Sequence, residues 1–554
     1  DMIKTAVAKG EKITIIGDYD CDGICASAIL STALLEMGAR PVVRLPLRFT
    51  EGYGMKPSMV EEIDSGLVIT VDNGIAALDA VEAAKKKGLK VIVTDHHSVV
   101  KESVSVIRDG LVTETLSVRL PNADCIINPH VEEVLGIDGK YDFYDYCGAG
   151  VALKLAESLL CPDKEPSTEK LSKYIKTMDR LYAFAALATV ADVMPIVGDN
   201  RNIVIRGIDA MARGEITAGL YQLLAQNKID VGHMPDGFLP HNYITTDVLG
   251  YKIGPCINAA SRLYDDGAYK ALSLLMCDIS RLAVAKAKEI VEDNEKRKFV
   301  TEKEQVVVDE IIKKDGMEND CPLVVYIKDS APGIIGLHAG RLCEQYKVPV
   351  VVINKDGDKC KGSCRSPEGA NIKALLDAVQ DSLVAYGGHP GAAGLTIEES
   401  EIQNLRARLI EECKKQGIKA QPTDKIFYDF SVDASEIKYI IPIIARMAPF
   451  GEGNPEPVFL IKDYHFEDAR ILGGKHLKLS GDVSAIGFNL CGEGDAVPNV
   501  EGGCCSLIGT LSFNCFRGNA TPQIQISIIP SKEDLDRHLN GDDREERPEQ
   551  EAER

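Results

Sequence analysis

Four stretches of the chain concentrate side chains able to hold cations. Asp18, Asp20 and Asp22 occupy every second position after the apolar run ending at Ile16, and alternation along an extended segment would turn all three to one side. Carboxylates that close repel one another unless a cation sits among them. Asp72-Asn73-Gly74 and Asp95-His96-His97 each end a further apolar run, and Asp192 follows Ala183–Val190 just before Met194-Pro195. A single Asp after a strand is ordinarily a helix cap or turn residue. Four such positions together are much harder to explain that way. Carboxylates mixed with imidazoles suit Mn²⁺ or Mg²⁺ better than zinc. More than four such donors suggest two ions, about 3.5–4 Å apart in hydrolases of that type, and hydrolysis of a phosphoryl ester as the chemistry. A calcium-binding EF-hand loop also begins D-x-D-x-D-G, but its twelfth position must be acidic. Here it is Ile29, and the segment upstream reads as a strand.

The elements that must position these residues follow from hydrophobic patterning. Lys12–Ile16, Leu67–Val71 and Leu89–Val93 read as buried strands, and Ala26–Met37 and Leu78–Lys87 as helices, the second stopped at Gly88. Strand–helix–strand alternation implies a parallel sheet with helices on both faces, whose ligand sites lie beyond the carboxyl ends of the strands. From Ala268 to Lys314 helix formers dominate, which predicts one or two long helices joining domains. A second α/β block follows, with strands near Leu323–Ile327 and Val348–Ile353 and an end near Gly417. After Gln421-Pro422 come short strands at Phe427–Val432, Val458–Ile461, Leu477–Leu479, Ala485–Asn489, Ser506–Phe513 and Ile524–Ile528. Separated by Gly-rich turns, they predict a small all-β barrel. The expected organisation is an α/β metal-binding domain (1–262), a helical connector (263–315), a second α/β domain (316–420), an all-β domain (421–530) and a tail (531–554). That tail holds ten acidic and five basic side chains and reads as solvated or disordered.

Composition excludes several classes. At roughly 150 residues per domain, 554 residues predict three to four domains. No run of 18 apolar residues and no signal segment appears, so a membrane-spanning or secreted protein is not expected. The first residue is Asp rather than Met, and the natural chain is expected to begin earlier. Lys+Arg 63 against Asp+Glu 84 leaves a net charge of −21. This excludes a uniformly basic nucleic-acid binder, though not a local basic groove. The 16 cysteines are scattered without a C-x-x-C, and Cys21/Cys25 and Cys360/Cys364 lack partners at zinc spacing. Reduced thiols in the cytoplasm are expected.

The motifs carry a resemblance. Asp-Tyr-Asp-x-Asp-Gly at Asp18, Val-Asp-Asn-Gly-Ile at Val71, Thr-Asp-His-His at Thr94 and Ala-Asp-Val-Met-Pro at Ala191 resemble the four motifs of the DHH phosphoesterase superfamily. Tyr386-Gly-Gly-His-Pro-Gly-Ala-Ala-Gly394 resembles the glycine-rich signature of its DHHA1 partner domain. Within the superfamily the chain is most similar to the bacterial single-stranded-DNA-specific 5′→3′ exonucleases, from about Val7 to Pro530. The likeness includes Arg48-Phe-Thr-Glu-Gly-Tyr-Gly54, Cys147-Gly-Ala-Gly150, Asn258-Ala-Ala-x-Arg262, Gly362-Ser-x-Arg-Ser366 and Pro449-Phe-Gly-x-Gly-Asn-Pro455.

The resemblance implies that Asp20, Asp22, Asp72, His96 and Asp192 are metal ligands, for Mn²⁺ or Mg²⁺ and two ions. Asp18, Asp95 and His97 would be further ligands or groups that orient them. It implies that His389 contacts the scissile phosphate, with Gly387 and Gly388 letting backbone approach the substrate. Arg48, Ser363 and Arg365 would hold the DNA 5′ end, with Arg262 beside them. Two guanidinium forks and a hydroxyl suit a terminal phosphate. The all-β domain would be an OB fold binding single strands, with Phe466, Phe488, Phe513 and Phe516 and the basic Lys475, Lys478 and Arg517 available; most of those Phe are expected in the core instead. The implied partners are single-stranded DNA with a 5′ end, a single-strand binding protein and a helicase, in DNA repair and recombination. Two positions depart from the pattern: Cys256 stands where Arg is usual and Ala331 where His is usual. Alternatives are an oligoribonuclease, nucleotide phosphatase or cyclic-dinucleotide phosphodiesterase of the same superfamily, whose first motif usually opens His-x-x-Pro, or a non-catalytic replication scaffold.

Overall fold

The computed structural model describes residues 1–108, 111–135, 143–162, 166–231, 238–419, 427–491, 503–516, 519–531 and 535. Arg517, the link around Gln421 and nearly all of the acidic tail lie outside the described residues. The chain divides into two compact units: residues 1–174, 217–227 and 251–423, and residues 175–216, 228–250 and 424–554. The units therefore do not follow the sequence segments one to one.

In the first unit a five-stranded, wholly parallel sheet runs in the order Val42–Arg44, Ile13–Ile16, Leu67–Thr70, Lys90–Thr94, Cys125–Ile127. The strands Ile13–Ile16 and Leu67–Thr70 are buried at every position, which is why they read as unbroken apolar runs. Ile16 is level with Thr70, and Thr70 with Val93. That register delivers Asp18, Asp72 and Asp95 to a single edge. The helix after the first strand spans Cys21–Glu36 and starts five residues before the expected Ala26. Asp22 is therefore not on the extended segment: Asp20, still extended, caps the helix and Asp22 lies in its first turn.

The second sheet of this unit has the order Ala385–His389, Ala392–Ile397, Lys359–Arg365, Val350–Asp356, Leu323–Tyr326, with only the last pair parallel. Along Val350–Ile353 alternate side chains enter two cores, one on each face. The glycine-rich segment forms the hairpin of Ala385–His389 with Ala392–Ile397. The connector is a 35-residue helix, Ser280–Lys314, preceded by a short one, Gly267–Leu275.

The second unit carries a seven-stranded, mostly antiparallel sheet. Its core is closed by the helix Ile437–Met447 through Ile437, Ile441 and Ile444, spaced as one helical face. The strand Asp468–Leu472 was not expected, because it has no buried position to betray a period of two. Phe466 and Phe513 pack against this core, whereas Phe488 is exposed. Among the described residues no helix is long and apolar enough to cross a membrane.

Candidate metal centre and phosphate pocket

The sheet edge of the first unit gathers acids and imidazoles. Asp18, Asp20 and Asp72 can bring ligand atoms within 4.8 Å of one another, and so can Asp72, His96 and His97. His96 Nε2 lies 3.1 Å from Asp72 Oδ1 and 3.6 Å from Asp22 Oδ2. Asp72 takes a left-handed φ of 60°, which turns it from its strand toward the cluster. Asp18 is fully buried, and its Oδ2 has no hydrogen-bond partner among the described residues. Burial, and then the charge of Asp20, hold its carboxyl well above the ordinary range; burial and Asp22 raise Asp20 likewise. Burial lowers His96, against the pull of Asp22, and favours the neutral imidazole that metals bind. An orphaned buried oxygen among crowded acids and a neutral imidazole is the donor set of a hard divalent cation.

Asp95 has a different task. Its Oδ1 accepts the backbone N–H groups of His96 (2.8 Å) and His97 (3.1 Å) and lies 2.7 Å from His97 Nδ1, while Oδ2 accepts from Ile75 N (2.8 Å). Burial alone would lift its pKa, but the bond to His97 and the backbone donors bring it below the ordinary value. Asp95 thus stays charged, orients the His97 imidazole and holds the His96 backbone.

Other residues had no part in the sequence reading of the cluster. Gly148 N and Ala149 N donate to the two carboxyl oxygens of Asp22 at 2.6 and 2.7 Å, tying the N-terminus of the helix Gly148–Leu160 to the cluster. A Cβ on Gly148 would stand 2.4 Å from Asp72 Cβ. Buried Asn73 donates to the Ile16 and Val71 carbonyls and accepts from Met55 N, fastening two strand ends. Gly148 and Ala149 were visible only as part of a motif; no spacing argument gives them a task.

A cavity of about 720 Å³ in the same unit is lined by Arg48, Lys56, Arg262, Lys361, Ser363 and Arg365, together with Tyr53 and Gly387. No carboxylate pairs with Arg48, Arg262 or Arg365 among the described residues. Arg48 stacks over the Tyr19 ring, Arg262 donates to Gly333 O (3.1 Å), and Arg365 donates to Cys364 O (2.8 Å). Burial first, then Arg48, Arg297 and Arg365, pull Arg262 down to about 9. Cations so placed demand an anion. Tyr53 joins the two regions, because it lines the cavity while its hydroxyl lies 3.1 Å from the Asp72 carbonyl. Gly336 opens the helix Ile335–Tyr346 so close to Ser363 that a Cβ would stand 3.2 Å from Oγ. Gly388 and His389 are not among the lining residues, and His389 is exposed at its strand end. Asp192 is the first residue after the helix Thr168–Ala191 and belongs to the second unit.

At the positions of the two departures, Cys256 is buried and its sulfur takes a contact from Asn294 Nδ2 at 3.3 Å. Arg297 donates to Asn294 Oδ1 at 2.9 Å, so a cation reaches this neighbourhood from the long helix. Ala331 N donates to Glu304.

Three family models match the chain: the DHH family N-terminal domain at residues 12–188, the DHHA1 domain at 319–415 and the RecJ OB domain at 428–527. The single-stranded-DNA-specific exonuclease RecJ of Bacillus subtilis is 30% identical over 545 residues, covering 95% of this chain; the chain spans 62% of that relative. The Salmonella typhimurium protein of the same name is 30% identical over 556 residues, covering 96% of this chain and 89% of its own. Among solved structures, RecJ in complex with Mn²⁺ from Thermus thermophilus aligns with a TM-score of 0.71 at 26% identity, over 96% of this chain and 72% of that one.

Proposed function

The chain belongs to the RecJ family of single-stranded-DNA-specific exonucleases, and from that premise we propose that it hydrolyses phosphodiester bonds of single-stranded DNA from the 5′ end with divalent metal. The observation that carries this reading is a buried acid cluster beside a cavity of arginines without acids, with Tyr53 belonging to both. A 5′-terminal phosphate seated on Arg48, Ser363 and Arg365 would measure the cleavage position from the strand end. Arg262, held by Gly333 O, adds charge deeper in the cavity.

Asp20, Asp22, Asp72, His96 and Asp192 would hold the metal, as two Mn²⁺ or Mg²⁺ ions, with Asp18 as a further ligand. When bound, the ions would supply an acidified water and neutralise charge developing on the phosphoryl group. The chain's own contribution is placement. Asp95 fixes the His97 ring and the His96 backbone, and the Gly148 and Ala149 amides fix Asp22. His389 and the Gly387–Gly388 backbone would meet the scissile phosphate. The second-unit sheet would bind the trailing strand, with exposed Phe488, Lys475 and Lys478 as its contacts. Work in the cytoplasm with a single-strand binding protein and a helicase rests on the likeness alone.

The test is digestion with Mn²⁺ of single- and double-stranded DNA labelled at either end. Release of label first from the 5′ end of the single strand is expected. Activity confined to di- and trinucleotides, or equal attack on duplex, would overturn the reading.

A further inference from the structure

The second unit holds a cavity whose lining differs from that of the arginine cavity. It has about 450 Å³ and is lined by the end of the helix Ile437–Met447, the segment 241–247 and the strands Cys504–Phe516 and Asn519–Ile528. All of its lining residues belong to that unit. Phe488 lines it and is 53% exposed, with its ring edge-on to His476 at 5.5 Å. Asn514, Gln523 and Gln525 line it too, and among the described residues their side-chain amides have no hydrogen-bond partner. His241 Nε2 is buried at the same cavity, again without a partner among the described residues.

We propose that this cavity takes an adenine base of the bound single strand and reads its hydrogen-bonding edge, which rests on the nuclease reading above. Among the described residues no Lys or Arg lines the cavity, whereas Glu456 does, so a phosphate is not its ligand. A volume of about 450 Å³ suits one small ring-bearing group. A side-chain amide sets a donor beside an acceptor, and adenine offers the complement, its 6-amino group beside N7. Guanine shows two acceptors along the same edge and asks for a guanidinium, which the cavity lacks.

Stacking and edge reading fall to different walls. Phe488 follows the strand Ser484–Gly487, which pairs with the strand His476–Ser480 that carries Lys478. A strand whose phosphates run past Lys475 and Lys478 would lay one base on the Phe488 ring, and stacking alone holds any base. The amides make the choice. Gln523 stands opposite Ser512 and Gln525 opposite Thr510, so the two glutamines are alternate residues on one side of their strand. Burial first, and then Arg201, lower His241, which leaves a neutral ring with one nitrogen free to bond.

The test is a binding scan with the full chain in chelator, so that no strand is cut. A 5′-phosphorylated thymidine strand, labelled at its 3′ end, carries a single adenine at successive positions, and fluorescence anisotropy gives each affinity. At one position adenine should bind about tenfold tighter than thymine. A purine without the 6-amino group should lose that gain, and the double variant Q523A/Q525A should erase it. A scan with no favoured position overturns the proposal. So does a favoured position where guanine or cytosine exceeds adenine, or a gain that the amino-free purine keeps, which would mean stacking alone. None of these three results depends on the variant folding. Release of 5′ label from the all-thymidine strand by Mn²⁺ tests the nuclease reading separately, because that strand lacks the base.

Discussion

Gly148 lacks a side chain where Asp72 needs the room. Any Cβ there falls 2.4 Å from the Asp72 Cβ, while the Gly148 amide holds Asp22. G148A should displace both acids at once. A misplacement of about 1 Å can cost roughly a hundredfold in rate, so single-turnover cleavage should fall by that order while single-stranded DNA binding persists. D72A should abolish cleavage with binding retained, read by the same assay and by filter binding; turnover in that variant would remove Asp72 from the metal set. A second residue reports through pH. Burial pushes Glu456 in the second unit up to about 7 from an ordinary 4.5. The folded chain therefore holds a proton there that the unfolded chain loses between those values, and this site's contribution to stability falls as pH rises from about 4.5 to 7. E456Q should gain over wild type by up to about 3 kcal/mol above pH 8 and by little at pH 5. Thermal unfolding at the two pH values checks this; an equal gain at both would mean the side chain is not protonated by burial.

At the scale of elements, the long helix Ser280–Lys314 does more than connect. Its Glu304 accepts from Ser330 Oγ (2.6 Å) and Ala331 N (3.2 Å), and meets buried His338 Nε2 at 3.2 Å. These contacts fix the loop whose Gly333 carbonyl receives Arg262, and a Cβ on Gly333 would strike the Arg262 carbonyl at 2.2 Å. E304A should loosen that loop without touching the acids. We expect KM for 5′-phosphorylated single strands to rise roughly tenfold, the equivalent of about 1.4 kcal/mol, with kcat nearly unchanged. A fall in kcat at constant KM would refute a positioning role.

For the molecule as a whole, a net charge of −21 and a basic cavity coexist because the cations are local. Arg48, Lys56, Arg262, Lys361 and Arg365 can neutralise several phosphates, so log affinity should fall against log salt with a slope of up to about −3.5, each contact giving ~0.7. R365A should flatten the slope by about 0.7, measured by fluorescence anisotropy, whereas an unchanged slope would exclude Arg365 from phosphate contact. Chelation should end cleavage and Mn²⁺ restore it. Metal at about a hundred times its Kd should also stabilise the fold by about 2.7 kcal/mol, visible as a raised unfolding temperature without DNA.

The sequence by itself marked the acids and imidazoles of four motifs, the parallel sheet that ends beneath three of them, the long helix and the β-rich end. Those signals survive because they depend on side-chain type and on a periodicity that burial enforces. Strands without a buried face, such as Asp468–Leu472, leave no such mark. Only the tertiary structure decided that Asp20 and Asp22 belong to a helix start, that the glycine-rich signature is a hairpin, and that Asp95 holds the His97 ring. It also revealed the Gly148 amide on Asp22. The reason is distance along the chain: backbone donors and close approaches between residues 126 positions apart have no period, and register alone brings them together.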